Sequence, residues 1–295
     1  MSLCWYLHPS PIVLKVSGKD ARRYLNNRLS NDLRAATPGT SLIAGALTPQ
    51  GKVEGLFTVY VASDDSFYLV SDGGVRQTVF AIVGRYIVAD RVSVVDVSSE
   101  SLAGHITNEG LSKLGIPEGA RLFCMPRKRI SSEGTDFLIT PVDTGALALE
   151  MKNTWGESID KATYDLRRFA EGFVQFPDEV DDSIILTEAG LRDAVSFTKG
   201  CYVGQEVIER SDAIGKLPRT MERVVFKGEG EIAPDARIVS AGGQPLGKVV
   251  SVFPDAITGN HRAFCLLKSG AYVAGDSVQC NGVSGEILSK EQRTV

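Results

Sequence analysis

The chain has 295 residues, 43% of them hydrophobic and 23% charged, with a formal net charge of −4 and a pI near 5.5. This is the make-up of a globular protein long enough for two or three compact units. It excludes a generally basic surface for nucleic acid, so no direct nucleic-acid partner is expected, and no apolar run approaches the ~18 residues of a membrane span.

The opening stretch, Met1 to Pro9, has neither a basic start nor a long apolar centre, so it does not read as a secretory signal and a cytoplasmic protein is expected. Residues 11–16 are β-branched and predict a strand. Ser17 and Asp20 read as a helix start, followed by an inward face of Ala21, Tyr24, Leu25 and Leu29. Arg22, Arg23 and Arg28 are expected on solvent. Residues 41–48 and 53–62 predict two strands around the turn Pro49-Gln-Gly-Lys52, and 67–71 a third. Gly73 and Gly74 break the chain before a helix of about four turns marked by Val75, Val79, Ile82, Val83 and Tyr86, and 91–97 returns to β alternation. An α+β unit over residues 1–100 follows.

Residues 101–154 predict a second, smaller α+β unit: a helix over 102–114, strands at 122–125 and 137–142, and another strand at 147–151. The basic run Pro126-Arg-Lys-Arg129 reads as a solvated loop, with a contact to RNA or to an acidic ligand tail as the alternative. From 155 to 219 a signature segment returns to the first unit. It opens with a helix over 158–171, stopped by Gly172, and continues through an acidic loop at 177–182 with no calcium-loop spacing. Residues 220–295 hold six short β runs divided by glycines, at 223–227, 236–240, 246–252, 263–267, 277–279 and 283–288, and predict a small β-barrel.

The densest chemistry lies in Lys199-Gly-Cys-Tyr-Val-Gly-Gln-Glu206, running on to Arg210. Gly200 and Gly204 suggest tight turns around Cys201 and Tyr202. Gln205 to Arg210 has helix formers and an i,i+4 pair of Glu206 with Arg210. Two readings of Cys201 stand side by side: a thiolate stabilised by the following helix and by Lys199, or a small buried thiol. The other cysteines, Cys4, Cys124, Cys265 and Cys280, are far apart, which argues for free thiols, and the three histidines show no zinc spacing. No metal site is expected, nor a nucleophile elbow or a Walker loop.

This signature resembles that of the YgfZ-type folate-binding proteins, relatives of the glycine cleavage T-protein (aminomethyltransferase). Ser30-Asn-Asp-Leu33, Leu47-Thr-Pro-Gln-Gly-Lys-Val53, Leu166-Arg167 with Glu171-Gly172, and Glu188-Ala-Gly-Leu191 are similar to other pieces of that family, in order, over residues 10–290. The resemblance implies an α+β fold: a ring of two α+β subdomains and a C-terminal β-barrel around a central channel. It implies tetrahydrofolate or a one-carbon derivative as cofactor. Glu171 would recognise the pterin or be a surface carboxylate; Tyr202 would wall the ring or belong to the core. Lys199, Gln205 and Arg210 would serve the folate or orient Cys201, with a surface Arg210–Glu206 pair as the alternative.

Two functions follow from the resemblance. One is a folate-binding accessory protein for iron–sulfur protein assembly or repair, acting indirectly on tRNA modification, with Cys201 as its functional thiol and iron–sulfur proteins or their assembly factors as partners. The other is a folate-dependent aminomethyltransferase. The T-protein branch has an acidic pair where this chain has Glu54-Gly55, so Glu54 is the only acid available for that role. Its longer side chain would place the carboxylate differently, and errors of about 1 Å remove much of a catalytic effect. Asn26-Asn27 and Phe173-Val174 also depart from the family pattern.

Overall fold

A computed structural model describes residues 3–107, 110–215, 217–228 and 230–290. The described residues form two antiparallel sheets and one closed barrel. The first sheet is built from β2 (Ile12–Ser17), β3 (Ser41–Leu47), β4 (Val53–Ser63), β5 (Ser66–Ser71) and β6 (Ser93–Asp96), in the order β3-β4-β5-β2-β6, while β1 (Trp5–Leu7) lies elsewhere. Alternate side chains of a strand face opposite ways. Leu14, Val16, Phe57 and Val59 therefore join a core with Leu25 of α1 (Ala21–Arg28) and Val79, Ile82 and Val83 of α2 (Arg76–Gly84). Val13, Tyr60, Tyr68 and Val70 on the other face pack against Phe123 and Leu138 of the second sheet.

Two boundaries differ from expectation. Ser17 ends β2, and Asp20 is the N-cap position of α1, its carboxylate accepting from Arg91 N rather than capping the helix. Helix α2 has nine residues rather than four turns, and Val75 and Tyr86 lie outside it, exposed.

The second sheet has the order β1-β7-β9-β8, with β7 (Leu102–Ile106), β8 (Arg121–Pro126) and β9 (Thr135–Thr140). The start of the chain thus completes a sheet made mostly from residues past 100. It also corrects the helix expected over 102–114: β7 is held on both sides by main-chain pairing with β1 and β9, and only a short 3₁₀ turn, Gly110–Lys113, follows. Asn108 and Glu109 lie outside the described residues. The strand expected at 147–151 is instead part of α3 (Thr144–Trp155). Asp143 accepts from Ala146 N at 3.0 Å as its N-cap, and Leu147 and Met151, one turn apart, bury against Trp5 and Ile139.

Helix α4 (Lys161–Glu171) starts at Asp160, which accepts from Thr163 N, and stops at Gly172, whose φ of 71° is the left-handed conformation that glycine adopts without strain. Its inward face is Tyr164, Arg168, Phe169 and Ala170; Ala162 is exposed. The acidic loop after it is not wholly solvated. Glu179 is buried and grips Arg168 through two bonds of 2.6 and 3.0 Å, while Asp181 and Asp182 face solvent. After α5 (Gln205–Ile214) come the six expected strands, β10 (Arg219–Phe226), β11 (Arg237–Ser240), β12 (Pro245–Asp255), β13 (Asn260–Lys268), β14 (Ser277–Cys280) and β15 (Val283–Ile287). They close in the order β10-β13-β12-β11-β14-β15, with β15 pairing back to β10. Phe226, Ile238, Val249 and Val278 fill the barrel. Outside it, Phe253 and Phe264 pack on Phe169 of α4, which docks the barrel on the rest of the ring.

Candidate functional site

A cavity of about 800 Å³ opens where the first sheet, the second sheet and the barrel meet. It is within the usual range for a cofactor-sized ligand. Its walls are Ile43 of β3, residues 125–128 at the end of β8, residues 171–174 after α4, the turn 187–193, and Met221, Phe264 and Leu288 from the barrel side. Apolar surface and charged groups alternate around it. Glu171, Glu188, Asp193 and Glu222 supply carboxylates, and Arg127, Lys128, Arg192, Arg223 and Lys290 supply cations.

Two of those cations are committed. Arg192 pairs with Asp212, and Arg223 donates to Phe169 O, Ala170 O, Ser289 O and Lys290 O. Arg223 thereby places positive charge on the last carbonyls of α4, next to Glu171 and Gly172. Behind Arg127 lies a buried charge network. Arg129, read from sequence as part of a solvated basic run, is fully buried. It bonds Asp136 at 2.7 and 2.9 Å, Asp72 at 2.6 Å and Tyr164 Oη at 3.0 Å. Asp136 also meets His105 Nδ1 at 2.7 Å, and the Arg129 guanidinium holds its carboxyl well below the usual range. His8 lies 3.4 Å from Asp72, and burial lowers its pKa to about 4. This network ties β7, β9 and α4 to the chain just past β1, β5 and β8.

Of the residues singled out from sequence, Glu171 lines the cavity, half-buried at the C-terminus of α4. Glu54 does not. Its carboxylate is taken by Arg28 Nη2 at 3.0 Å and Arg85 Nη1 at 2.6 Å. Arg28, expected on solvent, is 2% exposed, because its other N–H groups reach Ile82 O and Leu47 O and Glu54 balances its charge. Lys199 is buried as well. Its Nζ donates to Asn26 O, to Leu29 O at 2.7 Å and to Asn31 O at 2.8 Å, three acceptors for the three N–H bonds of an ammonium. Burial lowers its pKa to about 8, with Asp32 working against that. The lysine therefore fastens the signature loop to the end of α1.

Tyr202 is buried in the main core under that ammonium, 4.9 Å from ring centre to Nζ. Gln205 accepts from Tyr202 N at 3.3 Å and donates to Glu209 at 2.6 Å. Among the described residues Glu206 and Arg210 do not pair with each other, and both are exposed. Cys201 is exposed on the surface of the loop, so the buried-thiol reading does not hold. Only one glycine of the signature needs to be one. Gly204 has φ 84°, and a Cβ there would sit 2.5 Å from Thr48 O; Gly200 has neither a positive φ nor a close neighbour. The structure thus brings the signature together with the α1 end and the turn after β3, and leaves it out of the cavity lining; of the site residues expected from sequence, Glu171 alone lines the cavity. Arg127 and Phe173 also line it; the basic run 126–129 and the departure at Phe173-Val174 are their sequence signals.

Residues 12–106 match the GCVT N-terminal domain. Over those residues the chain is similar to the glycine cleavage T-protein family. Its fold is that of this family: the glycine cleavage system aminomethyltransferase T from Bartonella henselae superposes with a TM-score of 0.84 over 99% of this chain and 87% of that one, at 16% identity. An iron–sulfur cluster assembly factor IBA57 homologue, mitochondrial, from Neurospora crassa is 22% identical over 237 residues, 74% of this chain. This chain spans 52% of that relative's length. An aminomethyltransferase from Xanthomonas campestris is 21% identical over 284 residues, 88% of this chain and 76% of its own. T-protein family relatives therefore include both assembly factors and transferases. Among the described residues no helix is long and apolar enough to cross a membrane.

Proposed function

We propose that this protein binds tetrahydrofolate, or a one-carbon derivative of it, in the central cavity and serves the assembly or repair of iron–sulfur proteins, with Cys201 as its functional thiol. Any effect on tRNA modification would be indirect, through iron–sulfur enzymes. The observation that carries the reading is the cavity. It has the size for a pterin ring and its tail, apolar walls for the ring, and the Glu171 carboxylate to accept from pterin N–H groups. Cys201 is exposed on a loop fixed by Lys199, which suits a thiol that meets a protein partner.

The aminomethyltransferase reading rests on relatives of that name and needs a carboxylate beside the folate. Glu54 is the residue available by resemblance, and it is engaged by two arginines outside the cavity lining. That favours the accessory role. The experiment is complementation of cells lacking this protein, scored by the activity of an iron–sulfur enzyme, with a parallel assay of methylenetetrahydrofolate formation. Loss of complementation by a folded Cys201→Ala protein, without transferase activity in the wild type, is the expected outcome. Full complementation by that variant removes the thiol from the account, and folate-dependent transfer by the wild type favours the second reading.

A further inference from the structure

We propose that Arg127 is a ligand-binding residue of the cavity that takes a carboxylate of the bound molecule; in the folate reading, on which this rests, that group belongs to the glutamate tail. Arg127 lines the cavity and also a small pocket behind it, shared with Thr58, Asp72 and Phe173. Its side chain is 10% exposed, yet its guanidinium is under-used. Only Nη1 is engaged, at 3.4 Å from Thr58 Oγ1 and 3.4 Å from Asp136 Oδ2, both at the outer limit of a hydrogen bond. Nε and Nη2 form no bond among the described residues. A largely buried guanidinium with open N–H groups is costly unless a partner arrives.

The contrast with its neighbours makes this specific. Arg129, two residues on, is saturated by Asp72, Asp136 and Tyr164, and Arg223 by four carbonyls. Asp136 keeps Arg129 and His105 as partners at 2.7 to 2.9 Å, so it remains balanced when Arg127 turns away from it. Arg127 Cζ also lies 4.6 Å from the centre of the Phe173 ring, a cation–π contact that uses none of its N–H groups. Lys128, exposed and next in the chain, adds a second positive charge to the same wall, while Glu171 and Glu222 stand on the wall formed by α4 and the barrel. A ligand that carries both a carboxylate and N–H donors finds partners for both in this cavity.

The test compares tetrahydrofolate with tetrahydropteroate, which lacks the glutamate, in anaerobic titrations of wild-type protein, Arg127→Met and Arg127→Lys. Arg127→Met keeps the stem on Phe173, and Arg127→Lys keeps the charge without the fork. Wild-type protein is expected to bind both ligands, tetrahydrofolate the more tightly. Arg127→Met is expected to weaken tetrahydrofolate by on the order of tenfold or more and to leave tetrahydropteroate unchanged, with Arg127→Lys between. An equal loss for both ligands, or no loss for either, in variants that unfold at the wild-type temperature would overturn the role of Arg127 while leaving folate binding intact. A wild-type protein that binds neither ligand would remove the folate reading and this inference together.

Discussion

Arg28 Nη2 and Glu54 Oε2 lie 3.0 Å apart beneath the first sheet, the arginine with a side-chain exposure of 1% and the glutamate 13%. The pair locks the end of α1 to β4, and Arg85 from the residue after α2 closes it from outside at 2.6 Å. A buried guanidinium that loses its counter-charge is strongly destabilising, whereas replacing both partners costs far less. Glu54→Gln is therefore expected to cost roughly 3 kcal/mol in denaturant unfolding, with folate affinity unchanged, and Arg28→Met with Glu54→Gln to recover part of that loss. A stable Glu54→Gln protein with lost folate-dependent activity would instead make Glu54 a functional acid.

The signature lysine makes an opposite prediction to the signature cysteine. Lys199→Met removes three bonds to carbonyls 26, 29 and 31 and leaves those acceptors in a buried place. A loss of about 2–3 kcal/mol is expected. Cys201→Ser changes an exposed atom and should stay within about 0.5 kcal/mol of wild type. Thermal melts of the two variants side by side measure this.

Much of the architecture is legible in the residues. The six barrel strands are short apolar runs cut by glycines, and each formed where expected. Residues 102–114 failed because their helical spacing was outweighed by pairing with β1 and β9, partners far away in the chain. Leu147 and Met151 carried the i,i+4 signal of α3 within a run also able to read as a strand. The larger blind spot is buried charge. Arg28, Arg129 and Glu179 look like solvent residues by type, and it is the counter-charges brought to them by the fold, Glu54, Asp72 with Asp136, and Arg168, that allow their burial. For the same reason the signature is legible in sequence, while the three carbonyls that its lysine meets are not.

The two signature glycines separate cleanly. Gly204→Ala forces a Cβ toward Thr48 O in a left-handed conformation and is expected to cost more than about 1 kcal/mol; Gly200→Ala, with open space and no positive φ, is expected to be near neutral. Equal effects by chemical denaturation would contradict the geometry.

His8 gives a pH dependence. It is buried among Asp72, Arg129, Asp136 and His105, and burial lowers its pKa from 6.5 to about 4. Below pH 6.5 the unfolded chain takes up a proton that the folded chain refuses until about pH 4. Stability should thus fall as pH drops through that window, by on the order of 3 kcal/mol from this residue. His8→Gln should flatten the fall, as followed by urea midpoints across the range.

The central claim is that the cavity between the three units is a folate site. The most direct measurement is a calorimetric titration of the purified protein with tetrahydrofolate under anaerobic conditions, paired with Glu171→Gln. The account predicts saturable binding to one site per chain, a raised unfolding temperature with ligand, and weaker binding by the variant. No heat and no thermal shift, at ligand concentrations about a hundredfold above micromolar, would contradict it.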